Sequence, residues 1–263
     1  MKRFMTLSFC FILLFAFNLS AQNLVQHADS LWEKRGEVFN QEKLIADSAN
    51  VNQAIELYKE FIETATGAEK EEAIWKLMRA YYFKGKYTTD DSEMKKKTYD
   101  LGKDLGKVGL EAFPESVGIH LFSAIVWGVW GEEYGVFKAA KEGVAGKIKE
   151  HCEKVIELDP NFDEAGGYRV LGRVYFKAPK IPLILGWPSK KKAVEILEKS
   201  YEIAPKNLNT RQFLGEALYS QKQKERAIQL MKEILAETDV IEGTAEDAVI
   251  KHEVEATLAE WEK

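Results

Sequence analysis

The residues that could carry catalytic or metal chemistry are few in this sequence and stand far apart. No histidine has another histidine three or four residues away, and neither His-Glu-x-x-His nor Cys-x-x-Cys occurs. Cys152 follows His151 directly, but it stands where a helical repeat packs its large residue, so we interpret it as a buried structural thiol. We therefore predict no catalytic residue, no metal site and no cofactor, and we do not expect an enzyme.

A group of aromatic residues is the better candidate for a functional site. Trp127, Trp130, Tyr134 and Phe137 lie in the segment SAIVWGVWGEEYGVF, and the first three share one face of a continuous helix. One interpretation is that these rings pack between neighbouring repeats. The other is that they line an apolar cleft, where the polar edges of Trp and Tyr fix a ligand. Both interpretations stay open at this point.

A second candidate is the segment FKAPKIPLILGWPSKKKAVEIL, residues 176–197, which places three prolines within ten residues. We read it as a nine-residue enlargement of one turn between two helices, because residues before proline favour extended conformations. Its apolar side chains are expected to fold back over neighbouring helices or into a subunit interface. Ile184 and Trp187 from this segment, and Tyr168 upstream of it, complete the candidate residues for binding a ligand or a partner.

The elements that must position these residues form a repeat. Ala193, Leu197, Ser200 and Pro205 have offsets of 0, 4, 7 and 12, and a second set of residues repeats the first three offsets 34 residues later. This pattern resembles the tetratricopeptide repeat (TPR), which has a small, a large and a small residue at these offsets after a Leu-Gly pair. In the TPR the paired helices approach each other closely at the small residues. The second set is Ala227, Met231 and Ile234, preceded by Leu214 and Gly215.

The repeat predicts an all-α fold. We expect a TPR-like solenoid of roughly four to five helix pairs, because one helix pair alone cannot bury its apolar face. The chain is expected to be helical throughout, with one long helix over 135–158 and a capping helix at the C-terminal end. Residues 22–263 are predicted to form a single domain that includes the apolar, proline-containing insert.

The net charge and the N-terminal residues indicate which partners and which cellular compartment to expect. A formal net charge of −5 gives no electrostatic basis for binding nucleic acid. Residues 1–21 combine a basic start, an apolar run and a small-residue end, which predicts a signal peptide that is removed. The mature chain is thus expected to be exported, most simply to a periplasm, without a transmembrane segment. Lipid anchoring is not expected, because Phe9 rather than a small residue precedes Cys10.

Three segments carry a resemblance to a known family: residues 168–205 above all, with AIWKLMRAYYFKGKY (73–87) and HADSLWEKRGE (27–37). They resemble the periplasmic T-components of tripartite ATP-independent transporters and, more distantly, the regulator-of-microtubule-dynamics proteins. The T-component resemblance implies a homo-oligomer such as a trimer with a hydrophobic cleft. It also implies a periplasmic substrate-binding protein as the partner in uptake of small, apolar organic ligands.

Two functions follow as hypotheses. The first is a non-enzymatic binding protein that captures a partner protein or a small apolar ligand on its concave face, as an accessory component of uptake. The alternative is a structural scaffold for an envelope complex that holds no small ligand.

Overall fold

The fold was analysed in a computed structural model, which describes residues 23–180 and 185–263. Twelve helices and one small β-hairpin make up this part of the chain, and the predicted all-α repeat fold is confirmed. The helices are α1 (23–33), α2 (Ala49–Thr64), α3 (Gly67–Tyr87), α4 (Ser92–Ala112), α5 (Val117–Tyr134), α6 (Val136–Lys141), α7 (Val144–Leu158), α8 (Phe162–Lys177), α9 (Lys190–Ile203), α10 (Leu208–Ser220), α11 (Lys224–Ala236) and α12 (Thr244–Trp261).

Consecutive helices pack against one another along the chain and form a stack of pairs. The pairs are α1 with α2, α3 with α4, α5 with α7, α8 with α9 and α10 with α11, and α12 packs on the last pair. Within the described residues α1, α3, α5, α8, α10 and α12 face the inside of the stack, whereas α2, α4, α9 and α11 lie on its outside. The core is divided into several apolar clusters, as expected when each pair contacts only its neighbours.

The repeat positions do what their spacing predicts. Gly172 of α8 faces α9 so closely that a Cβ atom there would lie 2.4 Å from Cγ of Leu197. Gly215 of α10 faces Met231 of α11 in the same way, and a Cβ atom added at Gly215 would lie 2.9 Å from the methionine Cε. Ala193 is fully buried beside these contacts. The small residues are therefore required because the paired helices approach each other at these points.

We predict that Gly172→Ala destabilises the fold by about 1–3 kcal/mol, because the added methyl group overlaps the Leu197 side chain in a packed core. Gly146 in α7 is the matched control, since no atom lies within 4 Å of a Cβ added there. Gly146→Ala is expected to raise the free energy of unfolding by up to about 1 kcal/mol. Urea denaturation checks both values, and equal effects of the two substitutions would contradict this account of the repeat.

The structure differs from the sequence-based expectation in two places. Residues between α1 and α2 form a β-hairpin, in which strand β1 (Phe39–Asn40) pairs antiparallel with β2 (Ile45–Ala46), so the chain is not helical throughout. The predicted helix over 135–158 is divided into α6 and α7. The division arises because Gly143, between α6 and α7, adopts a φ value of 66°, which a right-handed helix cannot contain.

A pair of histidines fixes α7 against the start of α5. His120 Nε2 lies 2.9 Å from the Pro114 carbonyl oxygen, which can only accept, so this nitrogen carries the proton. The Nδ1 atom of His120 is then the acceptor for the Nδ1–H of His151, at 3.0 Å. Burial, with smaller contributions from His120 and Lys147, lowers the pKa of His151 to about 4. The His151 ring therefore stays neutral until the pH nears this value.

We predict that the fold loses stability as the pH falls from about 6.5 to about 4. In the unfolded chain His151 takes up a proton near its usual pKa, whereas in the folded chain it stays neutral until the pH nears 4, so acid favours unfolding. The expected loss is about 1–3 kcal/mol, measured by urea denaturation across this pH range. His151→Gln should remove most of this slope and His252→Gln, at an exposed position, should leave it unchanged. A slope that survives in His151→Gln would contradict the role of the pair.

None of the helices within residues 23–180 and 185–263 combines the length and the apolar character that are needed to cross a membrane.

Candidate functional site

The inner faces of the helices line a cavity of about 800 Å³. Its lining comes from α1, α3, α5, α6, α7, α8, α10 and α12, and from the described part of the proline-containing connection between α8 and α9. A volume of this size is typical of sites for small organic ligands. The cavity has two chemically different ends, one charged and one apolar.

The first and last helices meet and close the stack into a ring around the cavity. Arg35, directly after α1, donates from Nε to Oε1 of Glu246 in α12 at 2.7 Å, although 211 residues separate them in the sequence. Its Nη2 atom donates to the Glu242 carbonyl oxygen, also at 2.7 Å. Beside this ion pair Gly36 lies against Ala245. A Cβ atom added at Gly36 would lie 3.2 Å from the alanine Cβ. The Arg35–Glu246 pair is nearly buried, with about a tenth of each side chain exposed.

The charged end of the cavity holds three arginines and several carboxylates. Arg79 of α3 stacks on Trp32, with its guanidinium carbon 4.1 Å from the ring centre. Within the described part of the chain its buried Nε atom has no hydrogen-bond acceptor, and the side chain forms no ion pair. Burial lowers the pKa of the Arg79 guanidinium and raises the pKa values of Glu242 and Glu246. The attraction of Arg35 for Glu246 is thus outweighed by the removal of that carboxylate from water.

Next to Arg79 the chain makes a left-handed turn that depends on stabilising contacts from another side chain. Asp163, Glu164 and Ala165 have φ values of 50°, 54° and 61°, a conformation that costs non-glycine residues about 1–2 kcal/mol each. Arg169 holds the turn by donating to the carbonyl oxygens of Asp163 and Glu164, at 3.1 and 2.9 Å, and to the Asp163 carboxylate at 2.8 Å. The positive charge of Arg169 is therefore already used by the protein.

The other end of the cavity is an apolar wall. Branched aliphatic side chains reach it from three helices that pack together, and the connection after α8 adds Pro179, Leu185 and Trp187. The connection is held by Ser189, whose N–H donates to the Tyr175 carbonyl oxygen at 3.1 Å. The aliphatic residues of the wall are Ile125 and Val129 from α5, Val144 and Ile148 from α7, and Val170 and Val174 from α8.

Of the seven candidate binding residues, the structure brings Trp187 to the cavity. Its ring packs edge-on against Tyr175, with 4.7 Å between the ring centres, so Trp187 lies against α8. Ile184 lies outside the described residues. Tyr168 is half-buried in the cluster that joins α7 and α8, with Lys199 Nζ 5.6 Å from its ring. Phe137 of α6 is 95% exposed and contributes nothing to the cavity lining.

Trp127, Trp130 and Tyr134, named here the aromatic cluster, are brought together on the side of α5 that faces α4 and α7 rather than among the residues that line the cavity. The rings of Trp130 and Tyr134 pack against each other at a tilt, with 4.3 Å between their centres. Their polar edges donate to one carboxylate, that of Asp100 in α4, at 2.8 and 2.7 Å. These are the polar edges that a ligand would use.

The electrostatics of Asp100 follow from those contacts. Burial alone would raise the pKa of Asp100, but hydrogen bonds from Tyr134, Trp130 and Lys103 together lower it. The same hydrogen bond raises the pKa of Tyr134 to about 12, because ionising the tyrosine would place two negative charges side by side. The aromatic cluster therefore joins α4 to α5, and it does so on the side of α5 opposite the apolar wall.

The charged residues that line the cavity were not among those predicted from the sequence. One signal was present in α3, where Arg79, Tyr82, Phe83, Lys86 and Tyr87 follow the i, i+3, i+4, i+7, i+8 spacing of one helix face. A face that mixes aromatic and cationic residues is unusual for a purely structural contact. The partners from α8 and α12 carried no comparable local signal. Among residues 23–180 and 185–263, no cluster of three or more His, Cys, Asp or Glu side chains is arranged to hold a metal ion.

We predict that Arg35→Met lowers the free energy of unfolding by about 3–5 kcal/mol, because it leaves the buried Glu246 carboxylate without its partner. The double variant Arg35→Met/Glu246→Leu should recover most of this loss, since no charge then stays buried. Arg226→Met is the matched control. It breaks the pair with Glu198 between α9 and α11, which is much more exposed and should contribute less than about 1 kcal/mol. Similar losses in Arg35→Met and Arg226→Met, measured by urea denaturation, would contradict the importance of ring closure.

Comparison with known proteins identifies the family. The family model described as regulator of microtubule dynamics protein 1-3 matches residues 38–262. Regulator of microtubule dynamics protein 3 from Rattus norvegicus is 33% identical over 130 residues, 49% of this chain and 26% of that protein. Regulator of microtubule dynamics protein 2 from Bos taurus is 29% identical over 178 residues, 68% of this chain and 38% of that protein. The matched part thus spans well under half the length of these relatives.

A solved structure supports the fold. The crystal structure of a thermophilic TPR protein from Thermus thermophilus superposes with a TM-score of 0.60, at 14% identity, over 91% of this chain and 99% of that chain. At this level of identity the likeness shows the TPR-like fold alone. Such folds commonly bind protein partners, and neither the family nor the fold is typically catalytic.

These findings correct two expectations. The T-component resemblance is wrong as the main assignment, because the match is to the family that we had judged the more distant one. The predicted periplasmic localisation is wrong as well, because the relatives found are mammalian proteins and mammalian cells have no periplasm. The signal peptide predicted at residues 1–21 lies outside the described residues. Since the family model covers most of the sequence, the chain belongs to the regulator of microtubule dynamics protein 1-3 family.

Proposed function

We propose that the chain is a non-enzymatic binding protein whose central cavity captures a small organic ligand with an apolar body. The observation that carries this proposal is the cavity of about 800 Å³, to whose lining α5, α7 and α8 contribute a group of aliphatic side chains. Binding would remove apolar ligand surface and apolar wall from water together, at about 25 cal/mol for each Å² buried. Residues 22–263 would act as one unit, since the cavity uses helices from both halves of the chain.

Trp187 is the candidate residue that we place in direct contact with the ligand. It supplies a rigid aromatic surface at low cost in conformational entropy, as anchors at binding sites commonly do. The aromatic cluster has an indirect role in this proposal. Through Asp100 it holds α5 in place, and the other side of α5 carries Ile125 and Val129 of the wall. We propose no uptake role, no substrate-binding partner and no trimer, because these came with the T-component resemblance.

A scaffold function is the second candidate, and one observation favours it. Met94, Leu101 and Val108 repeat every seven residues along α4, and about half or more of each side chain is exposed. Spacing of seven places them on one helix face, which is the arrangement that a helical partner segment recognises. The relatives are named as regulators of microtubule dynamics, so tubulin is the first protein partner to examine.

Native mass spectrometry of gently purified protein tests the ligand proposal. We expect a second species heavier than the chain by the mass of a small organic molecule. Trp187→Ala should lose this species, because it removes part of the apolar wall. Trp261→Ala is the matched control: Trp261 stacks on Tyr219 at 3.9 Å between ring centres, and it is not among the cavity-lining residues.

The outcomes separate the two functions. A ligand-free spectrum of the unaltered chain, together with no binding of the neutral apolar dye Nile red, would contradict the proposed cavity function. If the ligand-free protein instead co-sedimented with polymerised tubulin, and Leu101→Glu abolished this, the scaffold function would be favoured.

A further inference from the structure

We infer that the cavity selects ligands that carry a carboxylate, and that Arg79 is the residue that recognises it. This inference rests on the proposed function, because it names the chemistry of the ligand's polar end. The ligand would be an organic monocarboxylate with an apolar body along the wall and its carboxylate against the Arg79 guanidinium.

Arg79 differs from the other arginines of the cavity in having no partner for its charge in the described residues. Arg35 is paired with Glu246, and Arg169 with Asp163. Arg173, which also lines the cavity, is paired with Glu216 at 2.8 Å. A guanidinium has five N–H donors and no acceptor, so an arginine without a carboxylate or carbonyl partner is a ready site for an anion.

The cation–π contacts of Arg79 do not supply a hydrogen-bond acceptor for its guanidinium. Its guanidinium lies 4.1 Å from the centre of Trp32 and 5.2 Å from that of Trp75, which stabilises the charge through the ring faces. The ring faces accept no hydrogen bond in the guanidinium plane, and the buried Nε–H therefore stays without an acceptor in the described residues. The Nη groups of Arg79 also donate to no carboxylate or carbonyl oxygen within the described residues and, unlike Nε, they are not fully buried. A ligand that supplies an acceptor to these donors gains in affinity. A planar carboxylate meets the guanidinium in its plane.

The charge balance of this end favours a carboxylate over a phosphate monoester. Arg79 and Lys86 are lining cations that form no ion pair within the described residues, and Lys86 has the carboxylates of Glu253 and Glu132 near it. The carboxylates of Glu242 and Glu246 line the same cavity. A dianion would gain one partner and face two acidic side chains, one of which has a buried oxygen, Oε2 of Glu246, that also lacks a donor in the described residues. A monoanion gains the same contact with Arg79 and meets less repulsion from these carboxylates.

The experiment compares three probes of the same apolar length: decanoate, decanol and decyl phosphate. Each is titrated against protein loaded with Nile red, at low ionic strength and about pH 8, where decanoate is ionised. We expect the unaltered chain to bind decanoate about tenfold to a hundredfold more tightly than decanol, the range for one hydrogen-bonded charge. Arg79→Met should abolish this preference and leave the affinity for decanol unchanged.

Two further variants keep the result interpretable. Arg226→Met is the matched control and should retain the preference, because Arg226 is paired with Glu198 and is not among the cavity-lining residues. Arg79→Gln covers the case in which Arg79→Met does not fold, and it should also lose the preference. Equal binding of decanoate and decanol by the unaltered chain would overturn this inference and leave the proposed function standing.

The remaining outcomes are equally decisive. Tighter binding of decyl phosphate than of decanoate would overturn the choice of a carboxylate. A preference for decanoate that persists in both Arg79 variants would overturn the role of Arg79. Failure of Nile red and of all three probes to bind the unaltered chain would overturn the proposed function and this inference together.

Discussion

The ion pair between Arg35 and Glu246 joins the two ends of the solenoid, and both residues line the cavity between the inner helices. A stack of helix pairs has no intrinsic reason to close, since each pair contacts only its neighbours. Here the end after α1 and the start of α12 meet through a nearly buried pair, and Gly36 lets the backbones approach beside it. Removing one partner by substitution would leave a buried charge in the closed ring, so such a substitution disfavours closure.

Closure also explains why the cavity has two chemically distinct ends. The charged end is lined by residues of α1, α3, the start of α8 and α12. Two of its arginines stabilise the chain itself, Arg35 at the ring closure and Arg169 at the left-handed turn. The apolar wall lies on the opposite arc, where α5, α7 and α8 pack as ordinary repeat helices. Arg79 sits between fixed neighbours without a partner of its own, which makes it available to a ligand.

Local contacts in this fold could be predicted from the sequence, and distant ones could not. The contacts of Gly172 with Leu197 and of Gly215 with Met231 recur at fixed spacing, so their helices and packing followed from the repeat. Trp187 was found through the prolines around it. Arg35 and Glu246 stand 211 residues apart, and only the cumulative curvature of the helix pairs brings them together. The aromatic cluster had the spacing of a site, but the use of its polar edges depends on Asp100 in another helix.

The distance between the two ends of the solenoid in solution is the most direct measure of ring closure. Spin labels at Glu33→Cys in α1 and Glu255→Cys in α12, both exposed, report it by double electron–electron resonance. Cys10 is replaced by serine and the buried Cys152 is left in place. The closed ring predicts one narrow distance distribution, which broadens towards longer distances when Arg35→Met is added. A broad distribution in the chain that retains Arg35, or one that Arg35→Met leaves unchanged, would contradict the account.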